Sequence, residues 1–449
     1  MLRTSFLLLF MCVHVLSAAQ ETAKAKHVVL VSVDGFRADF YLQEKWPAPY
    51  IKEMAQEGVH ALGVRGIFPS VTYPSHTTLV TGALPKHHGI YYNSPFEPEG
   101  YSGRWYWENS WIQTETLWDA VKKADMTSAA FFWPVTVGAP IDYNVPEVWS
   151  LEKGYGLLGK TREHQTPKGF IEELEREVTG QLNSKTFSGD YLNREDRTGE
   201  MAAYTLETYK PNFMAVHLIA TDHFQHDEGK NGPTIPKALA ATDRAIGKII
   251  EAATRAEILD DTVIIVTGDH GFVDVHSALS PNVWLVEAGL MEDKRDRGDW
   301  KATFHTTGAS AFLILKNPKD RKTLRKVREK LASIPDNMKK LFRIVERDEL
   351  DRIGADPNAA LALAPVPGVD ISWSSRGPVL KPKSGGTHGF FPDFKAIETG
   401  FVVWGSAVAE NKMIEHMGLE DIAPLISQLL GLDFTAKDGI LYPGILRKD

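Results

Sequence analysis

The sequence predicts an α/β fold in which a mostly parallel central sheet is flanked by helices. Three apolar runs are continuous rather than alternating, which indicates strands buried on both faces, as in a parallel sheet covered by helices. They are "HVVLVSVDGFR" (27–37), "FMAVHLIATDH" (213–223) and "DTVIIVTGDHG" (261–271). Residues 47–58 and 235–259 read as helices, the second with Pro236 well placed for its first turn.

Each of the three predicted strands ends at an aspartate, namely Asp34, Asp222 and Asp269. Ligands of open α/β sheets bind at the carboxyl ends of the strands, so three such carboxylates would gather in one site. The alternative is that each aspartate only caps a following turn or helix, which three occurrences in one chain make the weaker account. His217 and His223, in or beside the second run, are equally well explained as packed core residues.

Histidines accompany two of these aspartates. His226 follows Asp222 by four residues, the spacing that puts two side chains on one face of a helix. His270 directly follows Asp269, and His388 lies far downstream in the glycine-rich "SGGTHGFF". Imidazole nitrogens and carboxylate oxygens together suit zinc, which needs no thiolate.

The stretch "FPSVTYPSHT" (68–77) crowds hydroxyls and an imidazole around Pro74 and continues to Gly82. Pro74 near a first turn and Gly82 as a stop predict a helix with Thr72 at its amino end. Thr72 is then either a plain N-cap or a nucleophile, and these two roles are compatible. The helix dipole and free N–H groups at that end would favour both an alkoxide and a phosphate.

Five ordered motifs resemble the alkaline phosphatase superfamily, and most closely its nucleotide pyrophosphatase/phosphodiesterase branch, as a bacterial member. They are "VDGFR", "FPSVTYPSHTTLVTG" followed by "HGIYYN", "TDHFQH", "GDHGF" and "GTHGF". The resemblance implies an alkaline-phosphatase-like fold and two zinc ions. One ion would be held by Asp222, His226 and His388. The other would be held by Asp34, Asp269 and His270, with Thr72 completing it as the nucleophile.

The resemblance also implies that Asn93 donates a hydrogen bond to a phosphoryl oxygen, although "YYNSP" is equally a good turn sequence. The expected activity is hydrolysis of phosphodiester or pyrophosphate bonds, with nucleotides as the small-molecule substrates, through a phospho-threonine intermediate. The aromatic "RWYWENSW" (104–111) would either stack a nucleobase or simply pack.

Two other functions remain open. A zinc phosphomonoesterase on the same site would need further cations, for which "GKTRE" offers Lys160 and Arg162. A non-catalytic zinc- or phosphate-binding protein would be expected to lack Thr72 or a ligand, and every one of those positions is occupied.

The chain begins like an exported protein. Residues 1–19 have a basic residue, an apolar run and small residues at the end, as in a cleaved signal peptide rather than a stable membrane anchor. The only cysteine, Cys12, lies within this segment, so a disulfide-free chain in a bacterial periplasm is expected. Residues 24–449 would form the phosphodiesterase domain, with a subdomain or insertion within 275–387. The net charge of −8 argues against a nucleic-acid polymer as partner.

Overall fold

The regular elements alternate along most of the chain in the computed structural model, which describes residues 24–293 and 298–447. Its strands are β1 (His27–Val33), β2 (Val59–Ala61), β3 (Val64–Arg65), β4 (Ser128–Phe131), β5 (Tyr143–Val145), β6 (Phe213–Leu218), β7 (Thr262–Thr267), β8 (Val273–Asp274), β9 (Ser277–Leu279), β10 (Ala302–Thr307), β11 (Ser310–Leu315), β12 (Phe342–Val345), β13 (Ala362–Pro365), β14 (Val369–Ile371), β15 (Leu380–Pro382), β16 (Gly386–Thr387), β17 (Phe401–Gly405), β18 (Lys412–Ile414) and β19 (Met417–Gly418). Its α-helices are α1 (Asp39–Leu42), α2 (Pro49–Glu57), α3 (Thr72–Thr81), α4 (Pro85–His88), α5 (Leu117–Lys123), α6 (Leu157–His164), α7 (Phe170–Leu174), α8 (Tyr191–Tyr209), α9 (Ala220–Glu228), α10 (Ile235–Arg255), α11 (Pro281–Glu287), α12 (Arg321–Ala332), α13 (Asp336–Lys339), α14 (Arg347–Arg352) and α15 (Ile422–Leu430).

The three strands predicted to end near the aspartates are neighbours at the centre of an eight-stranded sheet. The sheet order is β18-β2-β17-β7-β1-β6-β4-β5, and β1 pairs in parallel with both β6 and β7. Only β17 runs antiparallel to its two neighbours, β2 and β7. The predicted α/β class with a mostly parallel sheet is therefore confirmed.

The central strand is buried on both faces, which explains its continuous apolar sequence. Val29, Val31 and Val33 point into one hydrophobic cluster, to which α2, α8 and α10 also contribute. Val28 and Leu30 point into a second cluster, which is closed by α5 and α15. A two-sided core of this kind leaves the strand ends as the only edge at which polar side chains can gather.

A second, four-stranded antiparallel sheet lies within residues 302–365. Its order is β10-β11-β13-β12, and with α11 and α12 it encloses a hydrophobic cluster of its own. Phe68 and Tyr92, from the segments near α3, also belong to that cluster. The sheet therefore packs against the region around Thr72.

The predicted helices form with shifts at their ends. The segment 47–58 contains α2, and 235–259 contains α10. Among the described residues, none of the helices has both the length and the apolar character that a membrane crossing requires. The predicted signal peptide lies outside the described residues.

Candidate active site

Two of the predicted aspartates lie directly at strand ends, and the third lies on a helix. Asp34 immediately follows β1, and Asp269 comes two residues after β7. The prediction that a strand ends at Asp222 is slightly wrong, because β6 stops at Leu218 and Asp222 lies in the first turn of α9. Since β7, β1 and β6 are adjacent, all three carboxylates still meet at one edge of the sheet.

Asp222 is surrounded by the histidines that the resemblance assigned to it. Its Oδ1 lies 3.4 Å from Nε2 of His226, one turn later on α9. The same oxygen lies 3.6 Å from Nε2 of His388. Asp222, His270 and His388 also form a group whose ligand atoms all lie within 4.8 Å of one another.

A second group is formed by Asp34, Asp269 and His270, and it shares His270 with the first. Nε2 of His270 lies 3.4 Å from Oδ1 of Asp34 and 3.1 Å from Oδ2 of Asp269. The rings of His270 and His388 stack with their centroids 3.6 Å apart. The two groups therefore form one continuous cluster.

The three histidines are oriented by backbone carbonyls. In each ring Nδ1 faces a carbonyl oxygen at 3.1 Å, that of Gly386 for His226, Gly271 for His270 and Ser70 for His388. A carbonyl only accepts, so Nδ1 carries a proton in each ring, and Nε2 is the nitrogen that has a lone pair when the ring is neutral. This arrangement is typical of metal-binding histidines, whose second nitrogen donates to a fixed acceptor.

In each carboxylate of the second group one oxygen contacts a polar partner, and we call it the held oxygen. The other oxygen has no hydrogen bond. Oδ1 of Asp269 accepts the N–H groups of Gly35 and His270, at 3.1 and 3.0 Å. Oδ2 of Asp34 faces Nε2 of His217 at 3.1 Å. The other oxygen of each, Oδ2 of Asp269 and Oδ1 of Asp34, is buried without a hydrogen bond, as is Nε2 of His270.

Buried, unpaired ligand atoms that converge from carboxylates and imidazoles fit a cation. Burial, reinforced by the nearby charges of Asp222 and Asp269, raises the pKa of Asp34 well above its ordinary value. Burial lowers the pKa of His388 well below its ordinary value, which keeps that ring neutral. Zinc binds neutral imidazole and ionised carboxylate, so a bound ion would displace the proton that the raised pKa favours on Asp34.

Thr72 lies beside this cluster as the first residue of α3. The residue at the N-cap position is Val71, whose side chain makes no capping bond, and the helix ends at Gly82 in the left-handed conformation (φ 57°). The predicted helix is therefore present, but Thr72 is not its N-cap. Nδ1 of His76 donates to the Thr72 carbonyl at 2.8 Å and lies 3.9 Å from Oδ2 of Asp269.

The first turn of α3 has fewer free N–H groups than expected. The N–H of Ser75 donates to the Val71 carbonyl, and Pro74 has none. The N–H of Tyr73 donates at 2.9 Å to Oδ1 of Asn93. The amide of Asn93 is thereby fixed next to Thr72, and its NH₂ group has no hydrogen bond to the described part of the chain.

Some side chains of the aromatic stretch 104–111 pack in the protein interior, and some line a cavity. Tyr106 and Trp107 are almost fully buried, and Nε1 of Trp107 donates to the Trp149 carbonyl at 2.7 Å. Trp105 packs edge-on against Tyr73, with ring centroids 5.1 Å apart. A cavity of about 490 Å³ is lined by Trp105, Tyr106 and the half-exposed Trp111, among others.

The two cations considered for a monoesterase are both paired with carboxylates. Lys160 lies 2.8 Å from Glu163, and Arg162 contacts both Glu172 and Glu175. These ion pairs are formed on and between α6, α7 and the π-helical segment 175–179, and no contact with the candidate metal cluster is present among the described residues.

His217 and Glu147 are site residues that the sequence did not reveal. His217 is buried on β6 between Asp34 and Glu147, whose carboxylates raise its pKa to about 10 although burial acts to lower it. A histidine inside an apolar strand was a signal, but packing explained it equally well. Its partners lie 70 and 183 positions away in the sequence.

Residues 28–391 match the family model described as type I phosphodiesterase/nucleotide pyrophosphatase. Venom phosphodiesterase of Naja atra is 23% identical over 433 residues, which cover 92% of this chain and 45% of the venom protein. Human ectonucleotide pyrophosphatase/phosphodiesterase family member 5 is 24% identical over 426 residues, covering 92% of this chain and 76% of the human protein. The chain thus spans less than half of one relative and about three quarters of the other.

Solved structures show the same fold. Human ectonucleotide pyrophosphatase/phosphodiesterase 5 superposes with a TM-score of 0.66 at 20% identity, covering 92% of this chain and 97% of that one. The murine protein, solved as an inactive threonine-to-alanine variant in complex with AMP, gives a TM-score of 0.64 at 21% identity over the same shares.

Proposed function

The chain belongs to the type I phosphodiesterase/nucleotide pyrophosphatase family, and from this we propose that it hydrolyses phosphodiester or pyrophosphate bonds of nucleotides through a phospho-threonine intermediate on Thr72. The observation that carries the proposal is the position of Thr72 beside the ligand cluster, at the first residue of α3. The carbonyl of Ser70, two residues earlier, holds His388, and His76 joins the Thr72 carbonyl to the neighbourhood of Asp269. The AMP bound to the murine relative supports a nucleotide as substrate.

We propose two zinc ions as cofactors, with the residues in the sets that the resemblance implied. One set is Asp222, His226 and His388, and the other is Asp34, Asp269 and His270 with Thr72. When bound, Zn²⁺ would lower the pKa of the threonine hydroxyl and stabilise charge on the leaving oxygen. The unpaired, buried ligand atoms described above support this assignment.

The chain's own groups orient the reaction. Thr72 lies at the positive end of the α3 dipole, which favours the alkoxide and the phosphoryl group. Asn93, held by Tyr73, has its NH₂ free to donate to a non-bridging phosphoryl oxygen. Thr72 then attacks phosphorus, the first alcohol or phosphate leaves, and water cleaves the phospho-threonine.

The cavity beside Tyr73 is proposed to hold the nucleobase. Trp105 and Trp111 line it, and an aromatic face contributes about 1–3 kcal/mol to the binding of a base. The phosphomonoesterase alternative gains no support, because Lys160 and Arg162 are already neutralised by carboxylates.

We further propose that residues 1–19 direct export to the periplasm and are removed, and that residues 24–449 form the phosphodiesterase domain, with a subdomain or insertion within 275–387. Sequencing the amino terminus of the mature protein would test the cleavage near Ala19. Limited proteolysis would test the insertion, which should be cut at its ends before the central sheet is degraded.

The first test of function is paired hydrolysis of a p-nitrophenyl phosphodiester and the matching monoester by zinc-loaded protein. We expect a strong preference for the diester, and loss of both activities in Thr72→Ala. Thr81→Ala is the matched control, because its hydroxyl lies on the same helix and is bonded to the Thr77 carbonyl. Preference for the monoester would favour the phosphatase, and full activity of Thr72→Ala would exclude Thr72 as the nucleophile.

A further inference from the structure

A chain of three buried side chains extends from the metal-binding cluster into the protein. Oδ2 of Asp34 faces Nε2 of His217 at 3.1 Å, and Nδ1 of His217 faces Oε2 of Glu147 at 3.1 Å. We propose that His217, held by Glu147, is a positioning residue that fixes Asp34 so that only its Oδ1 is presented to a metal ion. This inference rests on the metal site proposed above.

Asp34 depends on His217 more than Asp269 depends on any one partner. The held oxygen of Asp269 accepts two backbone N–H groups, from Gly35 and His270, which no side-chain substitution removes. The held oxygen of Asp34 has only His217 as a partner within the described part of the chain. Without that ring, the Asp34 carboxylate could rotate about its χ2 angle and lose its fixed presentation.

His217 is itself held on its far side by two acceptors. Nδ1 lies 3.1 Å from the Phe132 carbonyl as well as from Glu147. The ring also packs against His76, with centroids 4.2 Å apart. These contacts leave the ring a single orientation, which directs Nε2 at Asp34.

The backbone turn that brings the Phe132 carbonyl to His217 is strained, which indicates that its conformation is needed at the site. Phe132 and Val135 have φ values of 55° and 58°, in the left-handed region that β-branched residues in particular avoid. Each such residue costs about 1–3 kcal/mol and persists only where the surroundings impose it, most often near functional sites. Here the strained turn follows β4 and carries the Phe132 carbonyl to His217.

The test is zinc binding measured by equilibrium dialysis against zinc buffers, with metal counted per chain. His217→Phe keeps an aromatic ring of similar size but removes the hydrogen bonds to Asp34, Glu147 and the Phe132 carbonyl. Loss of such a supporting partner lowers metal affinity by about ten- to hundredfold. We expect that loss at one zinc site only, because the site built on Asp222 does not contact His217. In the visible spectrum of the cobalt-substituted variant, only the contribution of that one metal site should change.

Two further variants keep the test decisive if His217→Phe does not fold. Glu147→Gln leaves His217 in place and should weaken the same zinc site by a smaller factor. His217→Gln restores a donor toward Asp34 and should recover part of the affinity lost in His217→Phe.

The matched control is Asp243→Asn, a carboxyl-to-amide change at another buried acid, which accepts the N–H groups of Tyr50 and Ile51. It should leave both zinc affinities unchanged. Affinities that are unchanged in His217→Phe, or lowered equally at both sites, would overturn the positioning role. Wild-type protein that binds no zinc would overturn both this role and the proposed metal site. Wild-type protein that binds two ions without hydrolysing any diester would overturn the proposed function alone.

Discussion

The side-chain oxygen of Asn93 accepts a hydrogen bond from the backbone N–H of Tyr73 at 2.9 Å. This bond satisfies a donor in the first turn of α3, and it leaves the NH₂ group of the same amide without a hydrogen bond to the described residues. Asn93 therefore has two separable roles, one in the stability of the helix and one in the proposed binding of phosphate.

Asn93→Asp separates these roles, because aspartate retains the acceptor for Tyr73 but lacks the donor. We expect kcat/KM for a phosphodiester to fall about 10²–10³-fold, as when one oxyanion donor is lost, with unfolding stability nearly unchanged. Asn93→Ala should lose both activity and about 1 kcal/mol of stability. If Asn93→Asp remains as active as the wild type, the amide donates nothing to the substrate.

The phospho-threonine route predicts the stereochemistry at phosphorus. Two successive in-line displacements, first by Thr72 and then by water, each invert configuration, so the product should show overall retention. Hydrolysis of a chiral phosphorothioate diester in isotopically labelled water measures this outcome. Net inversion would mean direct attack by water and would assign Thr72 to metal binding alone.

Metal removal should lower the stability of the folded protein, because the buried carboxylates then repel one another without a cation between them. Zinc at a hundredfold excess over its Kd should stabilise the chelator-treated protein by about 2.7 kcal/mol per site, seen as a rise in melting temperature. Asp34→Asn should reduce this rise. The same variant should be about as stable as the wild type without metal, because the raised pKa of Asp34 already favours its neutral form and asparagine keeps an oxygen that can accept from His217. An equal zinc response in both proteins would contradict the assignment of Asp34 as a ligand.

Asp243 predicts a pH effect on stability that is independent of the active site. Burial raises its pKa to about 6, against the opposing hydrogen bonds from Ile51 and Tyr50. The folded state thus binds a proton more tightly than the unfolded state, so this contribution to stability is full below about pH 4 and is lost as the pH rises through 6. Between those values wild type should lose roughly 3 kcal/mol relative to Asp243→Asn, which denaturant titrations at several pH values measure.

The cavity at Trp105 predicts a selective effect on substrate affinity. Trp111→Ala and Trp105→Ala should raise KM about five- to hundredfold for the p-nitrophenyl ester of thymidine monophosphate, because about 1–3 kcal/mol of stacking is lost. They should change KM little for p-nitrophenyl methylphosphate, which lacks a base. The exposed Trp373, which does not line the cavity, is the matched control. Equal effects on both substrates would mean that these rings only support the fold.

The sequence predicted the centre of the molecule because its signals there are local. The continuous apolar sequence of each of the strands β1, β6 and β7 is enough to predict that the strand is buried, and each aspartate follows its strand within a few residues. β17 could not be placed between β2 and β7 in this way, since its pairing involves residues more than a hundred positions apart. The connection from Asp34 through His217 to Glu147 was missed for the same reason, as no spacing rule joins positions on three different elements.

The late position of β17 and His388 in the chain has a consequence for how the protein matures. During synthesis β2 and β7 emerge long before the strand that separates them, and the first of the proposed ligands emerge long before His388. Contacts of such large sequence separation form slowly, so we expect the nascent protein to depend on protection from aggregation until its last hundred residues are made. A metal ion that needs His388 can be captured only after that point, which would make its uptake a marker of completed folding.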